Sequence, residues 1–247
     1  MAAMTSDLGA TAWMRRFLPT LGWLAGLLGV SLAMPAFEPF FRWIEPDRST
    51  VIYPRDTFIT LLGQHVAIVA MASALAIMIG VSAAVLVTRR SGAEFLPLVS
   101  QLASIGQTFP PVAVLALSVP ALGYGAEAVV VALVLYGLLP IVRNTLAGLQ
   151  AVDRGVIESA RGIGLRPSQV LLQVEMPIAA PAILGGIRTS VTIGIATAAI
   201  GSTIGANTLG DPIISGIVNN NMAFTLQGAV LIGLLAVTVD SAFSRIR

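Results

Sequence analysis

The 247-residue chain has no cysteine and no lysine; all fourteen basic residues are arginine, and His65 is the single histidine. The first absence excludes a disulfide, a thiolate nucleophile and a sulfur ligand. The second excludes Schiff-base chemistry and the P-loop, whose lysine must reach the β- and γ-phosphates. Any use of ATP therefore falls to another subunit. One histidine and no clustered ligands leave little for a membrane enzyme, and neither a metal nor a cofactor is expected. Charge is scarce too. Only 11% of residues are charged and the net value is +2, too little to suggest nucleic acid as a partner.

What fills the chain is apolar. Hydrophobic residues make up 56% and the mean hydropathy is +0.88, the composition of a membrane protein. Apolar runs cover residues 17–37, 58–88, 95–119, about 126–142, 178–204 and 224–239, so six helical spans are expected. The first is long enough to cross a hydrocarbon core of about 30 Å. It is expected to be a retained span, with a cleaved leader as the alternative. The second exceeds one span, which places Gln64 and His65 at the outer interface or against other helices. His65 is expected to be a solvated or capped side chain near a helix end rather than a proton relay.

The third run carries Gln107-Thr108-Phe109-Pro110-Pro111. Two prolines remove two backbone donors, so the helix should kink or break there. Such breaks are tolerated where the freed carbonyls face protein or a wet cavity. The break is therefore either a mark of a substrate pathway or a kink that only shapes packing. Residues 38–56 interleave aromatic and charged side chains, the pattern of an interfacial loop or a short surface helix. Residues 207–222, rich in Asn and Gly, are expected to form a polar re-entry or loop.

The arginines test the count. With a cytoplasmic N-terminus, six crossings put Arg15, Arg16, Arg89, Arg90, Arg143, Arg154, Arg161, Arg166, Arg245 and Arg247 inside, against Arg42, Arg48 and Arg55 outside. That bias is the one cytoplasmic loops show. Both termini and the polar stretch 153–177 then face the cytoplasm. The expected organisation is a short cytoplasmic segment 1–16, a first span with its extracytoplasmic loop at 17–57, and a core at 58–247.

The stretch 153–177 interrupts the apolar pattern. Asp153 can cap a helix starting near Arg154, with Val156, Ile157 and Ala160 at helical spacing. Gly162 and Gly164 offer a stop. Pro167 suits the first turn of a second helix running through Val170, Leu171, Leu172 and Val174, and Pro177 should mark a bend into the fifth span. Periodicity alone fits an ordinary amphipathic interfacial helix as well. The spacing adds more: Glu158-Ser159-Ala160, three residues, Gly164, nine residues, then Val174-x-Met176-Pro177.

That spacing resembles the cytoplasmic EAA loop of ABC importer permeases (Glu-Ala-Ala, three residues, Gly, nine residues, Ile-x-Leu-Pro). Further segments, GQTFPPVAVLAL (106–117), LYGLLPIVRNTLAGL (135–149) and IGANTLGDPIISGI (204–217), are similar to permease subunits of bacterial osmoprotectant importers for glycine betaine, choline or carnitine. Where many members carry Gly-Ala-Gly-Gly-Leu-Gly, this chain has Asn207 and Thr208 in place of two glycines.

The resemblance implies a six-span type I ABC importer permease, an all-α bundle in the bacterial inner membrane. Its implied partners are cytoplasmic ATP-binding subunits, a separate extracytoplasmic substrate-binding protein, and a second permease copy in a homo- or heterodimer. Glu158, Ser159, Ala160, Arg161, Gly164 and Pro177 would couple the permease to the ATPase. Gln107, Thr108, Pro110, Pro111, Tyr136 and Asn144 are the candidates for the substrate pathway. The alternatives are a type I permease for another solute and an ATP-independent secondary transporter, which would need intramembrane carboxylates that the spans lack near mid-depth.

Overall fold

Among the described residues every regular element is a helix, as a chain of long apolar runs in lipid requires: a helix satisfies its own backbone groups. The structure, a computed structural model, describes residues 3–246, with side chains from Arg16 onward; Arg247 and the Arg15 side chain lie outside the described residues. The helices are α1 (Ala3–Ala33), α2 (Glu38–Ile44), α3 (Phe58–Val87), α4 (Leu96–Thr108), α5 (Pro111–Leu122), α6 (Ala126–Gln150), α7 (Arg154–Gly162), α8 (Pro167–Val170), α9 (Met176–Ala198), α10 (Gly210–Val218) and α11 (Met222–Phe243). A π-turn at Leu171–Glu175 joins α8 to α9, and a 3₁₀ turn at Ala199–Ile204 follows α9.

Among the described residues, five stretches are long and apolar enough to cross a membrane: Arg16–Ile44, Phe58–Val87, Ala126–Gln150, Pro167–Ile204 and Met222–Phe243. A sixth crossing exists if Ala93–Thr108 and Pro111–Leu122, bent by 100° at their junction, count as one. The bend follows from the two prolines. Each pushes its predecessor out of the α region, so Phe109 and Pro110 are extended (φ/ψ −85°/142° and −60°/140°) and Pro111 starts a new helix.

The chain forms two compact units. One comprises the residues up to Ile68, Tyr124–Ala126, and the stretch from Ile195 onward. In it α1 lies along α11, with the Thr20 and Ser241 hydroxyls 2.9 Å apart, and α10 packs on α11. Residues 38–56 form a short helix, α2, and a loop pinned to α11. The fully buried Gln227 donates Nε2–H to Val51 O (2.6 Å) and accepts the Tyr53 N–H (3.1 Å). Asn221 Nδ2 donates to Thr50 O at 3.1 Å.

Two expectations change here. His65 is not solvated: it sits two turns into α3, is fully buried, and its Nε2 lies 3.1 Å from Ile195 O. Within 207–222 residues Gly210–Val218 form a helix, α10, where the loop alternative expected none. Thr208 Oγ1 accepts the Gly210 N–H (3.0 Å), and Asp211 Oδ2 accepts the Thr208 N–H (3.3 Å). Their side chains occupy donors at the start of α10, which is how such residues favour helix ends.

The second unit comprises Val69–Gly123 and Glu127–Gly194. One cluster joins Ala84, Val87, Ala103, Val142 and Leu146 across α3, α4 and α6. Another joins Leu149, Ala179 and Ile183 with Val81, Val85, Leu171 and Met176. Lipid supplies little hydrophobic drive between helices, so close backbone approach carries the packing. A Cβ on Gly106 would lie 2.4 Å from Leu135 O, and one on Gly186 would lie 2.7 Å from Pro140 O.

Candidate functional site

The polar stretch 153–177 lies in the second unit. Asp153 caps α7 as expected: its Oδ1 accepts the N–H groups of Gly155 (2.7 Å) and Val156 (3.3 Å). The other end closes in a Schellman turn, with the Gly164 N–H donating to Arg161 O (2.9 Å) and the Leu165 N–H to Ala160 O (3.2 Å). That turn needs a left-handed residue after the helix, and Gly164 supplies it at φ +92°. Both ends of α7 are thus fixed by residues of the Glu-Ser-Ala-x-x-x-Gly stretch and its flank.

The helix buries Ala160 and exposes Glu158, Ser159 and Arg161. Ile163, in the closing turn, is 81% exposed. A short rigid helix carrying charged and apolar groups outward is suited to seating in a groove on a partner.

Past the turn, Pro167 opens α8 and the Arg166 N–H donates to Gln169 Oε1 at 2.8 Å. Pro177 does not interrupt the helix; Pro167–Ile204 is one continuous helical stretch. A helical proline normally clashes with the carbonyl four residues earlier. Here that carbonyl, of Gln173, lies in the π-turn Leu171–Glu175, whose wider register takes up the misfit.

The same turn carries a contact that no local sequence pattern signals. Arg89, just beyond the end of α3, donates Nη1 and Nη2 to the two carboxylate oxygens of Glu175 at 3.1 and 2.5 Å. Glu175 is buried at 4% exposure. Thr88 Oγ1 accepts from Arg89 Nη2 (3.0 Å) and donates to Val85 O (2.8 Å), orienting the guanidinium.

The pathway candidates group around the α4–α5 break. Pro140 has no N–H to give Tyr136 O, and Gln107 Nε2 donates there instead at 2.9 Å. The Tyr136 hydroxyl donates in turn to Phe109 O, a carbonyl freed by the break. Gln107 and Tyr136 therefore replace bonds that prolines removed. Asn144 Nδ2 donates to Pro140 O (2.8 Å) and Thr108 Oγ1 to Ile105 O (2.7 Å).

A cavity of about 540 Å³ lies beside the break, lined by Ile79, Leu102, Phe109, Leu117, Leu135 and other mostly apolar residues, and by none of the six candidates. Thr108 instead borders a shallower hollow of about 420 Å³ with Ser100, Gln101, Ser104 and Ile105. Ser100, Ser104 and Thr108 recur every fourth residue on one face of α4. Sequence reasoning passed over this polar stripe although its helical period was available.

Comparison with known proteins agrees with this architecture. The family of binding-protein-dependent transport system inner membrane components matches residues 76–246. An osmoprotectant import permease protein of Salmonella typhimurium is 39% identical over 188 residues, 76% of this chain and 80% of that one. A choline transport system permease protein of Bacillus subtilis is 38% identical, over 72% and 81% of the two chains. A carnitine transport permease protein of Listeria monocytogenes is 38% identical, over 74% and 83%. Among solved structures, a chain of the MetNI methionine ABC transporter superposes with a TM-score of 0.68 at 23% identity, covering 78% of this chain and 97% of that one. An amino acid ABC transporter chain gives 0.64 at 20%, covering 87% and 95%; at these identities the likeness speaks for the fold alone. The match over residues 76–246, together with relatives of this identity and coverage, establishes that the chain belongs to the binding-protein-dependent transport system inner membrane components, the multi-pass permease family of ABC importers.

Proposed function

We propose that this chain is the permease subunit of an ATP-driven importer for a quaternary-amine osmoprotectant such as glycine betaine, choline or carnitine. The observation that carries the proposal is α7: a helix capped by Asp153, closed at Gly164 and exposing Glu158, Ser159, Arg161 and Ile163 within the EAA-type spacing. The substrate class rests on the names of the relatives, which are osmoprotectant, choline and carnitine permeases.

In this reading cytoplasmic ATP-binding subunits seat on α7 and hydrolyse the nucleotide. An extracytoplasmic binding protein selects and delivers the solute, and a second permease copy, identical or different, completes the pathway. Residues 1–16 lie in the cytoplasm, 17–57 hold the first span and the outer loop, and 58–247 form the transport core with the loop at 153–177. Glu158, Ser159, Ala160, Arg161, Gly164 and Pro177 carry the coupling.

Gln107, Thr108, Pro110, Pro111, Tyr136 and Asn144 shape the pathway around the break, and the uncharged stripe of α4 borders it. Neutral hydroxyl and amide groups suit a solute that must pass without being held. The test is uptake of radiolabelled glycine betaine, choline and carnitine in cells with and without this chain, at low and high osmolarity, with ATP depletion as control. Loss of ATP-dependent uptake of any of them on deletion supports the proposal; unchanged uptake of all three in a strain with no other such importer defeats the substrate class.

A further inference from the structure

Beyond its chain junction with α6, which ends at Gln150, the stretch 153–177 is fastened to the membrane part at two places. One is covalent, through the continuous helical stretch Pro167–Ile204. The other is a seam along α3. Val81 and Val85 of α3 pack on the same buried cluster, Leu149, Ala179 and Ile183, as Leu171 and Met176 do, and Arg89, four residues further on, grips Glu175 with both guanidinium amines. Val81, Val85 and Arg89 recur every fourth residue, so they share one face of the helix and its extension. A two-point guanidinium–carboxylate contact fixes orientation as well as distance. With Glu175 almost fully buried, separating the pair would leave a carboxylate unpaired away from water, which is strongly unfavourable.

We propose that α3 and the α8–α9 stretch move as one body when a partner ATPase displaces α7, with Arg89 and Glu175 as positioning residues that tie them. The stroke then enters the membrane through α3 as well as through α9. The π-turn is carried along by this body and is not the joint at which it flexes. This inference rests on the coupling role given to α7 under the proposed function.

The native absence of cysteine makes a direct test available. In the assembled transporter reconstituted in liposomes, Arg89→Cys/Glu175→Cys removes both charges together and leaves neither orphaned. ATP-driven uptake should fall about tenfold, within the range for breaking a coupled pair, while ATP hydrolysis continues. Joining the two thiols with a short bifunctional methanethiosulfonate should restore uptake, because a tether does no harm between groups that never separate. The charge-swapped Arg89→Glu/Glu175→Arg variant should also recover most of the loss seen in Arg89→Glu alone.

Wild-type uptake in the unlinked double-cysteine variant would overturn the proposal. So would a cross-link that leaves uptake low or stops it, since the pair must then part during the cycle. Absence of ATP-driven uptake in the wild-type complex would count against the quaternary-amine reading instead, so the two failures are distinguishable.

Discussion

Replacing Gly164 isolates the conformational demand of the turn that closes α7. A Cβ at this position would meet no heavy atom within 4 Å, so crowding contributes nothing. The cost comes from the backbone, held at φ +92°. An L-residue forced into the left-handed region loses roughly 1–2 kcal/mol. Asparagine tolerates that region better than alanine, and a β-branched residue worse. The expected order of turn stability is therefore Gly, then Asn, then Ala, then Val. The reporters are the amides of Gly164 and Leu165, which donate to Arg161 O and Ala160 O at 2.9 and 3.2 Å. Hydrogen exchange of these two should quicken by about 5- to 30-fold in Gly164→Ala, the factor that 1–2 kcal/mol produces. ATP-driven uptake should fall in the same order. Equal exchange in all four proteins would refute the positive-φ argument. The expected exchange order with unchanged uptake would refute the coupling role.

Further outcomes test other parts of the structure. Gly185 and Gly186 are adjacent yet should respond oppositely to alanine: a Cβ at 185 has open space, whereas at 186 it meets Pro140 O and Asn144 Cβ at 2.7 Å. Gly186→Ala should lower thermal stability by about 1–3 kcal/mol and Gly185→Ala should not; equal melting temperatures for the two variants would contradict this. Gln227→Leu strands Val51 O and the Tyr53 N–H in a buried site, at a cost of about 1–3 kcal/mol for each group. It should lower the melting temperature and open residues 45–57 to protease, and unchanged cleavage there would argue against the clamp.

Burial raises the Asp211 carboxyl above the ordinary carboxylate range, with the Asp56 charge adding to the effect. A folded form that binds the proton more tightly is favoured below the unfolded value of about 3.9, and that advantage is lost as pH rises through the raised value. The stability of Asp211→Asn relative to the wild type should therefore increase from about pH 4 upward until the folded-state carboxyl has ionised. A pH-independent difference between the two proteins would exclude this linkage.

Local chemistry explains what was legible beforehand. Asp153, Gly164 and Pro167 act through bonds within a few residues of themselves, and their roles at the ends of α7 and α8 follow from residue type. The prolines at 110 and 111 announce the break for the same reason. The features that escaped notice depend on partners far along the chain. Glu175 meets Arg89 across 86 residues, and His65 is buried because Ile195, 130 residues away, receives its ring nitrogen. Pro177 misled because its usual clash is relieved by a π-turn, which has no strong residue signature. Residues 207–222 misled in the opposite way: Thr208 and Asp211 favour turns in general, but here they serve the start of α10.

The central claim is that α7 is where an ATPase acts on this permease. Because the native chain has no cysteine, a single cysteine in place of Ile163, photo-cross-linked through a thiol-attached probe in the assembled transporter, tests it most directly. The expected result is an adduct with the ATP-binding subunit, stronger or weaker with nucleotide, and none from a cysteine in place of the equally exposed Trp43. No adduct from position 163 in a complex that still imports its solute, or an equal yield from position 43, would contradict it.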